Sequence, residues 1–233
     1  MSGCIVNKRK LAVRRLGRID YETGLRIQKE TATAVKAGTL ADTLLLLEHP
    51  HTLTIGRRGN SSSVLLAQNE LQSRGVELFE TNRGGKVTYH GLGQVVGYPI
   101  ISLSPHREDV HRYVRDLEQV LLLTMRDFDI DAFRINGLTG VHTKQGKVAA
   151  IGVHIARWVT THGFALNVNT DLSYFDLIIA CEGEPVTSME QLLGHRVEVD
   201  RVEDRLASRF AEEFEMEIEE EYPQITQITQ IRI

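Results

Sequence analysis

Three observations predict an α/β domain in which helices pack against a mixed sheet. Continuous apolar runs, such as Thr43–Leu47, suit strands buried on both faces. A stripe at helical spacing, Val110, Tyr113, Val114, Leu117, Val120 and Leu121, continued by Met125 and Phe128, marks a long amphipathic helix. The chain has 233 residues, 42% of them hydrophobic, which is enough for one core, and no Pro- or Ser-rich linker divides it. Residues 1–233 therefore read as one domain.

The elements follow in order. Leu11–Leu16 alternates weakly and suits a first strand. Asp20–Ala37 reads as a helix, with Asp20 as N-cap and Gly38 as its stop. Thr43–Leu47 and Thr52–Ile55 read as strands, the second closed by Gly56; His49 and His51 flank Pro50 in a turn. Gln68–Ser73 suits a short helix ended by Gly75, and Val76–Glu80 a strand. Val95–Leu103 is a further strand ahead of the long helix. Lys147–Ile155 and Trp158–Val168 read as a hairpin, because Phe164, Leu166 and Val168 alternate with Ala165, Asn167 and Asn169. Val202, Leu206, Phe210 and Phe214 share one face of a last helix. The tail from residue 222 to 233 reads as frayed or as an added strand.

Composition narrows the function. A formal net charge of -4 is mild and does not suggest a nucleic-acid binder. Two cysteines, Cys4 and Cys181, make no disulfide framework and point to a reducing compartment. No apolar run approaches the roughly 20 residues of a membrane helix, and no apolar signal core precedes Asp20. A soluble cytoplasmic protein is expected, with neither nucleic acid nor membrane as partner.

The segment from Thr81 to Ile100, "TNRGGKVTYHGLGQVVGYPI", holds five glycines. Glycine costs backbone entropy on folding, so such a cluster implies tight turns or close approach to a ligand. It is not a phosphate loop, since it lacks the Gly-Lys-Ser/Thr ending. Gly91, Gly93 and Gly97 match the Gly-x-Gly-x-x-Gly spacing, but Pro99–Leu103 then reads as strand, not helix, which excludes a dinucleotide fingerprint. No metal-ligand spacing occurs among the scattered histidines.

Cys181 follows the apolar run Leu177–Ala180 and stands at the mouth of a Gly- and Pro-containing turn. A nucleophile held by the end of a buried strand has that placement. A free cysteine more often only packs, and position alone favours packing. Lys147 starts a strand of small residues, Ala149, Ala150 and Gly152. There it is either a solvated charge or part of a pocket floor. An ammonium beside a thiol favours the thiolate. His90 and His162, both next to glycines, are competing partners, because Cys–His is the commoner nucleophilic pair.

The stretch "RGGKVTYHGLGQVVGYPI" resembles the signature of the octanoyltransferases of lipoate synthesis, also called lipoyl(octanoyl) transferases. "LLLEHPHTLTIGRRGN", "GKVAAIGVHIARWVTTHGFALNVNTDLSYFDLIIAC" and "VTSMEQLLG" resemble further blocks of that family, in its order, so the likeness spans Leu11 to Phe214. The resemblance implies the fold shared by lipoate and biotin protein ligases, and octanoyl transfer from acyl carrier protein through a cysteine thioester. The acceptor it implies is a lysine of a lipoyl domain, as in the 2-oxoacid dehydrogenases and the glycine cleavage H protein. It implies neither cofactor nor metal, and a monomer. The family's cysteine falls on Cys181 and its lysine on Lys147. Its substrate-contacting segments fall on Arg83, Gly84, Gly85 and Lys86; on Val87, Thr88, Tyr89 and His90; on Ala150, Ile151 and Gly152; and on Gly163, Phe164 and Ala165. Val87 and Tyr89 are expected to wall an acyl tunnel.

The chain departs from the family pattern at Leu92, Ala180 and Glu182, and at His142, where the family has an aromatic residue. An acidic carrier needs a basic docking face, for which Arg57, Arg58, His106, Arg107, His111, Arg112 and Arg115 are candidates beside the alternative of an ordinary solvated face. Two other classes fit the same blocks: an ATP-dependent lipoate–protein ligase, which would not need Cys181, and an acyl-binding module without chemistry.

Overall fold

In a computed structural model, which describes residues 8–105, 107–179 and 184–219, two sheets share the chain. The strands are β1 (Arg9–Arg18), β2 (Asp42–Glu48), β3 (Thr52–Ile55), β4 (Glu77–Glu80), β5 (Val87–His90), β6 (Gln94–Ile100), β7 (Val141–Thr143), β8 (Gly146–Ala156), β9 (Val159–Asn167) and β10 (Met216–Glu219). The helices are α1 (Tyr21–Lys36), α2 (Gln68–Ser73), α3 (Val110–Arg126), α4 (Met189–Leu193) and α5 (Val199–Glu213). Seven strands form the larger sheet, in the order β10-β1-β2-β6-β9-β8-β7, and β4-β3-β5 form a second. In the larger sheet β10, β1 and β2 run parallel and the remaining pairs antiparallel. The sequence predicted one mixed sheet. The chain divides because β2 ends just before Pro50, which has no N–H for a ladder, and β3 pairs elsewhere.

The apolar run of β2 shows why the larger sheet is central. Leu44 and Leu46 enter a core with α3 and α5, whereas Leu45 and Leu47 enter one beneath α1. Side chains alternate across a strand, so a continuous run must be covered twice. The stripe on α3 supplies Tyr113, Leu117, Val120, Leu121 and Met125 to the first core. Helix α1 begins where Asp20 Oδ1 accepts the Thr23 N–H at 2.7 Å, the cap expected there. Among the described residues no helix is long and apolar enough to cross a membrane.

Several elements differ from expectation. Leu177, which opens the apolar run expected to form a buried strand up to Ala180, instead ends a 3-10 helix, Leu172–Leu177, in which Asp171 Oδ1 accepts from the Ser173 backbone and side chain and holds the turn. Ile178 makes a single bridge to Val64, and Ile179 is exposed. Ala180 and Cys181 lie outside the described residues, as do His106 and the tail beyond Glu219. Strand β6 stops at Ile100, three residues short of expectation, because the Ser102 N–H leaves the ladder for Asp42 Oδ1 at 2.7 Å. Strands β7 and β10 and helix α4 are too short to show a period.

Three residues of the candidate basic face, all in or beside α3, are engaged with carboxylates. Arg107 pairs with Asp116 and Arg115 with Glu118, while Arg112 approaches Asp116 at 4.0 Å. Glu118, buried on α3, also accepts from Arg134 at 3.1 Å and, through Oε1, from the Gly140 N–H at 3.0 Å. Glu118→Ala strands that buried amide. A loss of about 1–3 kcal/mol in urea unfolding is expected; an unchanged midpoint would show that the loop ahead of β7 needs no anchor.

Candidate active site

The site is built on β8 and β9. Their register sets Ala150 against Ala165, Ile151 against Phe164, and Gly152 against Gly163. Ile151 and Phe164 pack with the core under α3 and α5. The small pairs on either side leave a trough where bulkier side chains would fill it. The loop of Arg83–Gly85 lies across it. The Gly84 N–H donates to Val153 O at 2.9 Å, and a Cβ on Gly152 would lie 2.8 Å from Gly84 O. Only glycine at position 152 permits so close a crossing.

The trough leads into a cavity of about 230 Å³. Drug-sized ligands occupy roughly 300–1,000 Å³, so this space suits something slimmer. Of the residues expected at a substrate site, Arg83, Gly85, Lys86, Val87, Thr88 and His90 line it from one side. Ala150, Ile151, Gly152, Gly163, Phe164 and Ala165 line it from the hairpin, and Lys147 stands at its wall. Two expected residues do not line it. Gly84 braces the loop through its backbone. Tyr89 turns away from the expected tunnel wall: its hydroxyl shares a 2.8 Å hydrogen bond with His51 Nδ1 and its ring stacks on Tyr174. Gly91 is small to admit that ring, since a Cβ there would sit 1.8 Å from the Tyr89 hydroxyl.

Other lining residues were not foreseen: Tyr21, Arg58, Tyr98, Gly137, Leu138, Thr139, His162 as a wall residue, and Glu184. Several form a buried polar cluster. His49 Nδ1–H donates to Ile19 O and its Nε2 accepts from the Tyr98 hydroxyl, both at 2.8 Å. Gln94 Nε2 donates to Tyr89 O and Asn167 Oδ1, which leaves Gln94 Oε1 to accept from His90 Nδ1–H at 2.8 Å. His162 has φ of +56°, unusual outside glycine. Its backbone N–H donates to Gln28 Oε1 at 2.7 Å and its Nε2 meets Asn82 Oδ1 at 2.8 Å, contacts that hold the strained residue. His90 and His162, the two candidate partners for a nucleophile, are thus both committed to amide side chains.

Burial, before any other cause, keeps these imidazoles neutral: it lowers His90 to about 3, helped by the neighbouring His49 ring, and His162 to about 4, helped by Arg83. His49 is lowered to about 4, again mainly by burial. Arg83, itself buried, donates through Nη2 to Thr54 O at 2.6 Å and through Nη1 to Gly84 O at 2.9 Å.

Lys147 is held by its backbone and threaded over a glycine. Its N–H donates to Pro185 O at 2.8 Å and its carbonyl accepts from the Thr187 N–H at 3.0 Å. A Cβ on Gly140 would stand 2.7 Å from Lys147 Cε, so the side chain lies flat over that position, only 8% of the residue exposed. On β7, His142 pairs across the ladder with Lys147, and its Nε2–H donates to Glu184 Oε2 at 3.2 Å.

The chain matches the model of the "Lipoyl protein ligase A/B catalytic domain" over residues 20–211. It is 52% identical over 211 residues to an octanoyltransferase of Solibacter usitatus, covering 90% of this chain and 96% of that one. It is 49% identical over 197 residues to an octanoyltransferase of Geotalea uraniireducens, covering 84% and 89%. A bi-partite lipoate protein ligase from Thermoplasma acidophilum superposes with a TM-score of 0.73 at 17% identity, covering 92% of this chain and 86% of that one. A lipoate-protein ligase A bound with ATP gives 0.71 at 16%, covering 92% and 88%. The fold is therefore the α/β fold of the lipoate protein ligases, and the chain belongs to the lipoyl protein ligase A/B catalytic domain family. Within that family it stands with the octanoyltransferases: it is an acyltransferase.

The neutral histidines make stability depend on pH. The unfolded chain takes up their protons near pH 6.5, the folded one only near 3 to 4. Stability is full above about pH 6.5 and falls as the pH drops from there towards about 4. Urea midpoints measured from about pH 7.5 down to about pH 4.5 should decline, and His90→Gln should flatten the decline. An unchanged slope in that variant would assign the proton uptake to other groups.

Proposed function

We propose that this acyltransferase moves an octanoyl group from acyl carrier protein, through a thioester on Cys181, to the ε-amine of a lysine on a lipoyl domain. The observation that carries the reading is the slim cavity with Lys147 at its wall and a floor of small residues. Glu184, which follows Cys181 closely in sequence, lines the same cavity, and this supports a nucleophile nearby. The lipoyl domains of 2-oxoacid dehydrogenases and the glycine cleavage H protein are the acceptors in this reading. The protein works as a cytoplasmic monomer, with neither cofactor nor metal, since the donor arrives activated as a thioester.

Two displacements complete the reaction. The Cys181 thiolate, paired with the Lys147 ammonium, attacks the carrier thioester. The new C–S bond forms, the old one breaks, and the carrier thiolate takes a proton from Lys147. The acceptor's neutral amine then attacks the enzyme thioester. Its C–N bond forms, Cys181 leaves as thiolate, and Lys147 takes back a proton from the nitrogen. The product is a stable amide, and the Cys181–Lys147 pair returns to its starting charges.

The first test is mass spectrometry of the protein after exposure to octanoyl-carrier protein. One octanoyl adduct is expected, released by hydroxylamine, absent in Cys181→Ser and retained in Cys4→Ser. Transfer from free octanoate plus ATP, with no adduct, would instead identify a ligase. Lys147→Met should move the pH midpoint of Cys181 alkylation upward, because the thiolate loses its counter-charge. Lys147→Arg should keep a low midpoint yet transfer poorly, since a guanidinium does not take up a proton. A midpoint that ignores Lys147→Met and follows His90→Gln or His162→Gln would replace the lysine by a histidine.

Chain length offers a separate test. Gly152→Val puts branches against Gly84 O and Arg83 Cδ, 2.8 and 3.2 Å from the first added carbon. Preference should shift towards shorter acyl chains, with overpacking costing about 1–3 kcal/mol. Unchanged octanoyl transfer would remove Gly152 from the acyl path.

A further inference from the structure

Among the described residues, Leu65 and Ile179 are the most exposed large hydrophobics, at 56% and 52%. The backbone places them together. Val64 bridges Ile178 in antiparallel fashion, the Leu65 N–H donates to Leu177 O at 2.9 Å, and the Ile179 N–H donates to Ser63 O at 2.8 Å. Side chains alternate across such a pairing. Val64 and Ile178 turn inward to the core that holds Tyr89, so Leu65 and Ile179 stand as diagonal neighbours on the outer face. Cys181 follows Ile179 by two places. An exposed apolar pair beside a reactive thiol marks a contact surface more than a lone exposed leucine does.

Earlier in the same stretch lies a basic turn. The Gly59 N–H donates to Gly56 O at 2.8 Å, which puts Arg57 and Arg58 at the two corners. Their N–H groups donate to Arg83 O at 3.0 Å and Gly85 O at 3.1 Å, so the turn is fastened to the loop that crosses the trough. Both residues are exposed, and Arg58 also lines the cavity. Neither pairs with a carboxylate among the described residues, and no acidic residue occurs from Gly56 to Asn69. The arginines in and beside α3 differ on both counts. They are engaged with carboxylates, and α3 covers the side of the sheet opposite the trough.

We infer that the stretch from Arg57 to Leu65, together with Ile179, is the docking face for the acyl donor, and that its occupant is an acidic carrier protein. The inference rests on the transfer reading and deepens it, by choosing this face over α3. Leu65 and Ile179 supply an apolar centre beside Cys181, and Arg57 and Arg58 a basic rim at the cavity. An acidic surface gains from two arginines that have no carboxylate of their own. The acceptor presents a lysine ammonium and gains nothing from them, so it is the less suited occupant.

The test compares two donors on the full-length protein. One is octanoyl-carrier protein; the other is octanoyl-N-acetylcysteamine, a small uncharged thioester with no protein surface to dock. Acylation of Cys181 is followed by mass spectrometry. Arg57→Glu should raise KM for the carrier-borne donor roughly 3- to 10-fold, and Leu65→Ser roughly 5- to 20-fold. Acylation by the small thioester should be unchanged in both variants. Added salt should raise KM for the carrier-borne donor alone. Arg112→Glu, on α3, should change neither donor.

An unchanged carrier KM in both Arg57→Glu and Leu65→Ser would overturn the inference. Equal losses with the two donors would also do so, by showing a structural role. A rise in KM for the lipoyl domain, with the carrier unaffected, would give the face to the acceptor. A loss confined to Arg112→Glu would move the donor to α3. If the small thioester acylates the unmodified protein and the carrier does not, no carrier docks here, while the Cys181 chemistry stands. If neither donor acylates it, the transfer reading itself falls, and this inference with it.

Discussion

The register of β8 against β9 is the constraint on which the rest of the site depends. A slip of one residue would turn Ile151 and Phe164 into the trough and send alanines and glycines into the core. The apolar cover on the other face, α3 and α5, resists that slip because it needs the bulky side chains. The core thus enforces the vacancy on the opposite face. The Arg83–Gly85 loop then lies in that vacancy through the Gly84–Val153 hydrogen bond, and Gln28 of α1 reaches the hairpin at His162.

Burial also determines the electrostatics of the cavity. His49, His90 and His162 lie within one polar cluster, and water is too scarce there to solvate a charged ring. Each ring remains neutral and spends its N–H on a carbonyl or amide oxygen. The charged side chains of the lining are others, Arg58, Arg83, Lys86, Lys147 and Glu184. The neutral hydrogen-bonding rings thus add no charge of their own to the cavity.

Lys147 illustrates how several distant segments converge on one side chain. Its backbone is bound by Pro185 and Thr187, its methylenes pass over Gly140, and Gly140 is tied to α3 by Glu118. The Gly140 conformation, at φ of +120°, is one that residues with a Cβ seldom adopt. The lysine's direction is consequently set by the loop before β7 and the segment after residue 184 together, and neither would suffice alone.

Much of the fold was legible in the sequence, because local periodicity reports which faces are buried. Thr43–Leu47 reads as a doubly covered strand and is one; the α3 stripe and the β8–β9 hairpin follow the same logic. Family blocks in the expected order likewise identify the class of enzyme. Tertiary structure decided what those signals do not encode. It turned Tyr89 away from the cavity, divided the strands into two sheets, coiled Leu172–Leu177, and brought Glu184, His142 and Asn82 to the site. The physical reason is common to these cases. A pairing such as His142 with Glu184, or His162 with Asn82, joins segments far apart in the chain, and neither partner leaves a periodic trace in its own neighbourhood. Only the packing of the two sheets determines which polar side chains meet.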